Sequence, residues 1–448
     1  MKETKFLSQD LYNIKLSAAD KEQLRKLIID FIAAAYAGFR QNTSFNERVK
    51  KVVFPNLHDE ESYILFHSDK YPVRLAAFMN SLYGHGAELD DGNKKAAGHV
   101  GVHIIPAVFS LADKLKSSND DVLLALATGY EAYIRISSAA QPGMVNRGFH
   151  STGMAGTLAC AAASARLYHL NSQGIEDAIA LSTTLSGGLL SYGDSRPAIK
   201  PLNPGKAAEN GVFAAMLAYA GVKGPTESLE GRNGWFHAVS EDIHSEYLLS
   251  SDHLLIHDCY FKLYPSCRHT HCCIDAGIYF HDIVDINSID RINIYIYPNA
   301  IKLAGIRIPN NQDETKFSIY YTFACALING SYSINDMDIK NVNKTILNII
   351  DKINLISDFS MENREKGIRG AKVEIKMIDN SLYEKTILVP KGDPENPLSK
   401  TDIINKLRVC INGQISEQRM QDIINCIDLI EGTSTFSNPF QLTGVEHE

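Results

Sequence analysis

Residues 290–298, DRINIYIYP, mark where the character of this 448-residue chain changes. Apolar and polar residues alternate there, which puts Ile292, Ile294 and Ile296 on one face of a strand. Downstream, 371–378 (AKVEIKMI) repeats the alternation with Val373, Ile375 and Met377 on one face. A third strand is expected over 385–389, and Asn380 with Tyr383 suggests a hairpin joining the last two. Helical segments over 315–330 and 335–355 lie between the strands, so this part reads as an α+β block.

Upstream of that block the chain reads helical. Asp20 is the expected cap of a helix whose apolar face is Leu24, Leu27, Ile28, Phe31 and Ile32. Similar patterns follow at 75–84, 104–116, 120–137, 153–169, 174–190 and 205–221. Two of them, TGMAGTLACAAASARL (152–167) and GKAAENGVFAAMLAYAGV (205–222), are rich in Ala and Gly. Small residues let helix axes approach closely, as a buried bundle requires. Past the block, PKGDPENPL (390–398) breaks structure, and 399–411 and 416–430 return to helix. The expected fold is mainly α with an α+β second domain. A large all-helical domain would comprise 1–265 and 399–448, and a smaller α+β lid 266–398.

Charge and composition remove several function classes. Lys plus Arg is 44 and Asp plus Glu is 52, a net charge of −8, which excludes nucleic-acid binding driven by bulk charge. No run reaches 18 consecutive apolar residues, and the opening MKETKFLSQDLYN lacks the apolar core of a secretory signal. Neither nucleic acid nor membrane is an expected partner. The eight cysteines are too scattered for a disulfide framework, so a reducing, cytoplasmic setting is expected. The glycine fingerprints of dinucleotide and P-loop sites are missing, as are G-x-S-x-G and H-E-x-x-H.

Four segments carry ionisable groups in suggestive density. Residues 84–101 pack His85, Glu88, Asp90, Asp91, Lys94, Lys95 and His99 between two apolar helices. That is either a solvated loop with helix caps or a site held by a rigid scaffold. His150 precedes a small-residue helix, where the dipole favours neutral imidazole and hence a base; the alternative is a bystander beside a capping Ser151 or Thr152. Lys200 sits in a stiff segment, RPAIKPLNPGK (196–206), ahead of a helix start able to bind a carboxylate. KLYPSCRHTHCC (262–273) has the composition of a metal cluster but the wrong spacing for zinc, and reads better as a cationic, thiol-bearing pocket edge.

Taken together, these segments resemble the MmgE/PrpD family, which includes 2-methylcitrate dehydratase, cis-aconitate decarboxylase and iminodisuccinate epimerase. The resembling stretches are HGAELDDG (85–92) with GHVGVHIIPAV (98–108), GFHSTGMAGTLACAAA (148–163), KPLNPGKAAENG (200–211), KLYPSCRHTH (262–271), FSIYYTFACALINGSY (317–332) and GDPENPLS (392–399). They run in family order over nearly the whole chain. The resemblance implies a helical domain formed by both chain ends, an α+β lid, a homodimer, a small polycarboxylate substrate, and catalysis with no metal, iron–sulfur cluster or other cofactor.

The same resemblance assigns roles residue by residue. The family's loop carboxylate falls on Asp90 or Asp91, its loop histidine on His99, its helix-start histidine on His150, and its two pocket lysines on Lys200 and Lys262. Family reactions make or quench a carbanion beside a carboxylate. Lys200, Lys262 and Arg268 would therefore hold carboxylates and spread charge, with Asp90 and His269 also in the substrate-binding set. His150 and His99 would share acid–base work and Asp91 would orient them. Cys267 would serve as a second proton-transfer group if Lys262 and Arg268 favour its thiolate. Three departures from the lyase branches look closer to the epimerase branch: Gly92 in place of Thr, Val100 and Gly101 after His99 in place of Pro-Ser, and Cys267 in place of a decarboxylase histidine. The expected reaction is thus α-proton abstraction in an epimerase, with a dehydratase or decarboxylase as the alternative and a non-catalytic scaffold as a remote one.

Overall fold

A computed structural model describes residues 3–53, 60–191, 199–249, 252–363 and 367–444. The chain divides into two compact units. One comprises Met1–Gly86, Asp90–Tyr260 and Lys400–Glu448; the other comprises Ala87–Leu89 and Phe261–Ser399. Arg196, Pro197 and Ala198 of the 196–206 segment lie outside the described residues.

The first unit is built from helices. Ser17, not Asp20, is the N-cap of the Ala18–Gln41 helix: its hydroxyl accepts from Asp20 N at 3.2 Å. Asp20 is the third helical residue and completes a capping box by accepting from Ser17 N at 2.8 Å. Leu24, Leu27, Ile28, Phe31 and Ile32 are buried, as their spacing predicts. The Ser151–Leu167 helix runs through the middle of the unit, buried along almost its whole length, and packs on both the Leu202–Tyr219 and Asn119–Ala139 helices. A helix buried on all sides has no polar stripe, which explains its uniform run of Ala, Gly, Ser and Thr. The segment expected to be helical over 174–190 stops at the Ser172–Thr183 helix; Gly187 and Gly188 follow, and Gly188 O accepts from His150 N at 3.0 Å. From the far end of the chain, the Lys400–Ile411 helix packs on Ala18–Gln41. There Lys406 Nζ lies 2.5 Å from Asp30 Oδ1, both side chains buried.

The second unit holds a four-stranded mixed sheet in the order Leu382–Ile387, Ala371–Met377, Ile289–Ile296, Ile353–Ser357. The last pair is parallel and the others antiparallel. Asn380, at φ 69°, turns the hairpin between Ala371–Met377 and Leu382–Ile387, a conformation Asn tolerates well. Ile292, Ile294, Ile296, Val373 and Ile375 are fully buried in one apolar core with residues of the His271–His281 and Ile319–Asn329 helices. Burial of such side chains is worth about 1.5–3 kcal/mol each. The reading of 335–355 as one helix is corrected. Asn343 caps a helix over Lys344–Lys352, and the chain passes straight into the strand Ile353–Ser357. That edge strand lacks alternating burial, so it carries no period-two signal.

All eight cysteines are free thiols. Among the described residues, no helix is long and apolar enough to cross a membrane.

Candidate active site

The chain between Val73–His85 and Gly101–Leu115 is largely buried rather than solvated; Ala87–Leu89 belong to the second unit and the rest to the first. Gly92 and Asn93 pair with Tyr260 and Cys259, and Asn93 closes a tight loop, its N–H donating to Gly98 O at 3.0 Å. Asn93 Oδ1 accepts from Lys95 N and Ala96 N, both at 3.0 Å. Ser137 and Ser151 hydroxyls donate to Ala96 O and Ala97 O at 2.7 Å. The two glycines flanking the His99 dipeptide are required by packing. A Cβ on Gly98 would meet the Tyr133 hydroxyl at 2.0 Å, and one on Gly101 the Tyr130 hydroxyl at 2.2 Å. Both tyrosines project from the Asn119–Ala139 helix, three residues apart on one face.

This scaffold brings three histidines and a carboxylate together. His85 Nδ1 lies 2.9 Å from Asp90 Oδ2, and His99 Nδ1 lies 3.0 Å from the same oxygen. The rings of His85 and His99 are 4.6 Å apart, and those of His85 and His150 6.2 Å apart. Burial disfavours an ionised Asp90, but the adjacent His85 and His99 overcome it and hold the carboxyl well below the usual carboxylate range. His150 occupies the N-cap position of the Ser151–Leu167 helix without capping it. Ser151 and Thr152 do not cap it either: they tie down the loop, Thr152 Oγ1 accepting from His99 N at 3.2 Å. Asn203, near the start of Leu202–Tyr219, donates its amide to His150 Nδ1 at 3.0 Å. Lys200 stands two residues before that helix, half-buried, its carbonyl accepting from Asn203 N at 3.1 Å.

Asp91 is bonded to other partners than Asp90. Its Oδ1 accepts from Gly101 N at 2.8 Å and its Oδ2 from the Tyr130 hydroxyl at 3.0 Å. Burial, reinforced by the Asp30 charge, raises its pKa to about 7. His103, one turn along from His99, is fully buried against Tyr133, and burial takes its pKa down to about 3, so it is a neutral core residue. His85, Asp90 and His99 each offer a ligand atom, all within 4.8 Å of one another. Two imidazoles and a carboxylate suit a divalent transition metal. Equally, the same geometry is that of one imidazole hydrogen-bonded to a carboxylate oxygen and a second imidazole in close charge contact with it.

The second unit carries its own cluster. Lys262 Nζ donates to Glu88 O at 2.8 Å and lies 3.4 Å from Glu88 Oε2. Arg268 forms an ion pair with Asp393, and His269 Nδ1 hydrogen-bonds the Tyr297 hydroxyl. Burial first, then the cations Arg369, Lys262 and Arg268, bring the His269 pKa down to about 3. Cys267, half-buried, precedes the short Arg268–Thr270 turn. Cys272 and Cys273 sit in the apolar core, and burial raises the Cys273 pKa and pushes that of Cys272 well above the usual thiol range.

The MmgE/PrpD N-terminal domain matches residues 10–247, and the MmgE/PrpD C-terminal domain matches residues 264–429. The chain belongs to the MmgE/PrpD family. It is an enzyme, an isomerase or lyase of that family. The cis-aconitate decarboxylase-like protein oryM of Aspergillus oryzae is 23% identical, across 95% of this chain and 93% of its own length. Human cis-aconitate decarboxylase is 24% identical across 92% of this chain and 87% of its own length. A cis-aconitate decarboxylase of Aspergillus terreus is 24% identical across 90% and 87%. These relatives carry decarboxylase names, so the likeness favours the lyase alternative and lends nothing to the epimerase branch.

Of the residues picked out from the sequence of this MmgE/PrpD chain, Asp90, Asp91, His99, His150 and Lys200 belong to the first unit. Lys262, Cys267, Arg268 and His269 belong to the second. Three residues with direct contacts were not singled out: His85 beside Asp90, Asn203 on His150, and Glu88 on Lys262. Asn203 is 53 residues from His150, and no local pattern links them. His85 and Glu88 do lie in the charged loop, where composition marks a site but not which member faces which.

Proposed function

We propose that this MmgE/PrpD chain is a lyase of the cis-aconitate decarboxylase kind, releasing carbon dioxide from a small unsaturated polycarboxylate. The observation that carries this reading is the likeness to cis-aconitate decarboxylases along nine-tenths or more of the chain. The buried group of His85, Asp90, His99 and His150 supplies the chemistry such a reaction needs.

Loss of carbon dioxide leaves an electron pair on carbon, conjugated with the remaining carboxylates. That charge must be met by fixed donors and cations, and the carbon must then receive a proton. His99 is the proton-transfer group in this reading. Its Nδ1 faces Asp90, so an imidazolium on His99 is stabilised and its Nε2 can hand over a proton. His150 meets the developing charge as a donor, and Lys200 binds a substrate carboxylate. The homodimer and the further carboxylate-binding roles of Lys262, Arg268 and His269 remain part of the proposal.

A second reading, epimerase, rests on Gly92, Val100 with Gly101, and Cys267. Product analysis after incubation with cis-aconitate, citrate, 2-methylcitrate and iminodisuccinate separates the two. Carbon dioxide with a new alkene supports the proposal; inversion without loss of carbon supports the epimerase. Cys267→Ser adds a second check, because a decarboxylase that does not use the thiol keeps alkene formation largely intact.

A further inference from the structure

His150 and His99 sit in different polar surroundings, one beside an amide and the other beside a carboxylate. Asn203 Nδ2 faces two groups at once: His150 Nδ1 at 3.0 Å and the carbonyl oxygen of Leu189 at 3.4 Å. A backbone carbonyl only accepts, so the amide group that faces it is the NH2, not the oxygen. The same NH2 therefore donates to His150 Nδ1, which must present its lone pair. A neutral imidazole has one N–H, and with Nδ1 accepting, the proton resides on Nε2. The placement of His150 at the N-cap of the Ser151–Leu167 helix acts in the same direction, since positive dipole charge there disfavours an imidazolium. Across the cluster the charge environment is reversed: Asp90 Oδ2 hydrogen-bonds His85 Nδ1 and lies 3.0 Å from His99 Nδ1, a carboxylate contact that favours a protonated His99 ring.

We infer that Asn203 is a positioning residue that fixes the proton of His150 on Nε2, making His150 a hydrogen-bond donor to substrate and leaving proton transfer to His99. This rests on the reading of the cluster as the active site and adds to it the residue that fixes the His150 proton. It also differs from the expectation that neutral imidazole at position 150 means a base. A neutral ring with Nε2–H stabilises charge that develops on a substrate oxygen and needs no proton to leave it.

The direct test is NMR of the enzyme labelled with 15N-histidine, with the His150 signals assigned by their loss in His150→Gln. The expected result is a neutral ring with Nε2 protonated and Nδ1 bare at neutral pH. A ring protonated on Nδ1, or an imidazolium, would overturn the inference. Because this readout needs no turnover, it stands apart from any failure of the lyase reading. Kinetics of Asn203→Asp supply the second test. A carboxylate there accepts from Nδ1–H, so it leaves Nε2 of the neutral ring bare and favours the imidazolium. Turnover should fall by about 10²-fold at high pH, where the neutral ring carries its proton on Nδ1, and return as pH falls and the imidazolium again donates from Nε2. KM should change little. Equal loss of turnover at all pH values, or an unchanged kcat, would contradict the positioning role.

Discussion

The Tyr130 hydroxyl donates to Asp91 Oδ2 at 3.0 Å, whereas the neighbouring Asp90 Oδ2 lies beside His85 and His99. Asp91 is therefore a brace between the Asn119–Ala139 helix and the start of Gly101–Leu115, and Asp90 is the carboxylate that serves the histidines. The adjacent pair divides its contacts, Asp90 to the imidazoles and Asp91 to the Tyr130 hydroxyl and Gly101 N.

That division has a pH signature. Burial, with Asp30 adding to it, lifts the folded pKa of Asp91 to about 7, above its value in an unfolded chain. Between the unfolded pKa and about 7 the folded state holds the extra proton. The stability tied to Asp91 is thus fully present below the unfolded pKa and lost as pH rises toward 7. Asp91→Asn keeps a neutral side chain at every pH, and the Tyr130 hydroxyl can reverse to accept from the amide. The Tm of Asp91→Asn minus that of wild type should grow as pH rises from 5 to 8. A difference independent of pH would show that Asp91 ionises as an ordinary exposed carboxylate.

A second prediction concerns the return of the chain to the first unit. Lys406 and Asp30 form a buried pair linking Lys400–Ile411 to Ala18–Gln41. Lys406→Met leaves the Asp30 charge buried without its cation, which should cost about 3–5 kcal/mol in denaturant unfolding. Adding Asp30→Asn removes the stranded charge and should recover most of that loss. Additive losses in the double variant would show that the two side chains do not act as a pair.

The helical first unit was legible because its signals are local. Leu24, Leu27, Ile28, Phe31 and Ile32 repeat at helical spacing, and the Ala-rich runs at 152–167 and 205–222 announce close packing. Ile292, Ile294 and Ile296 declared their strand because one face is wholly buried. The strand Ile353–Ser357 was hidden because it is an edge strand that follows a helix without a turn. At the site, the charged loop was visible as composition, and His99 and His150 were singled out within it and beyond it. What the sequence could not supply was partnership. That Asp90 serves two histidines, that Asp91 serves Tyr130, and that Asn203 reaches His150 are long-range facts of packing.

Kinetics should separate the roles in the cluster. His99→Gln removes the proposed proton-transfer group and should lower kcat by about 10²–10⁴-fold. Lys200→Met should act mainly on KM, with kcat affected only as far as the lysine also stabilises the carbanion. A His99 variant that turns over at the wild-type rate would remove His99 from the chemistry.

The His85, Asp90 and His99 atoms are spaced closely enough to hold a divalent ion, so chelation is an informative experiment. With Asp90 hydrogen-bonded to His85 and in charge contact with His99, activity should persist after a strong chelator and metal-free dialysis. Stoichiometric metal in active protein, lost together with activity and restored by one metal ion, would show that the three residues are ligands instead.

The central claim is that the reaction breaks a carbon–carbon bond and returns a proton to carbon. The measurement that tests it most directly is incubation of the enzyme with cis-aconitate in heavy water, following carbon dioxide and the deuterium content of the product together. The account predicts one carbon dioxide released per alkene product formed, with one deuterium on the carbon that received the proton. Deuterium entering a polycarboxylate that keeps all its carbon, with no carbon dioxide released, would contradict it.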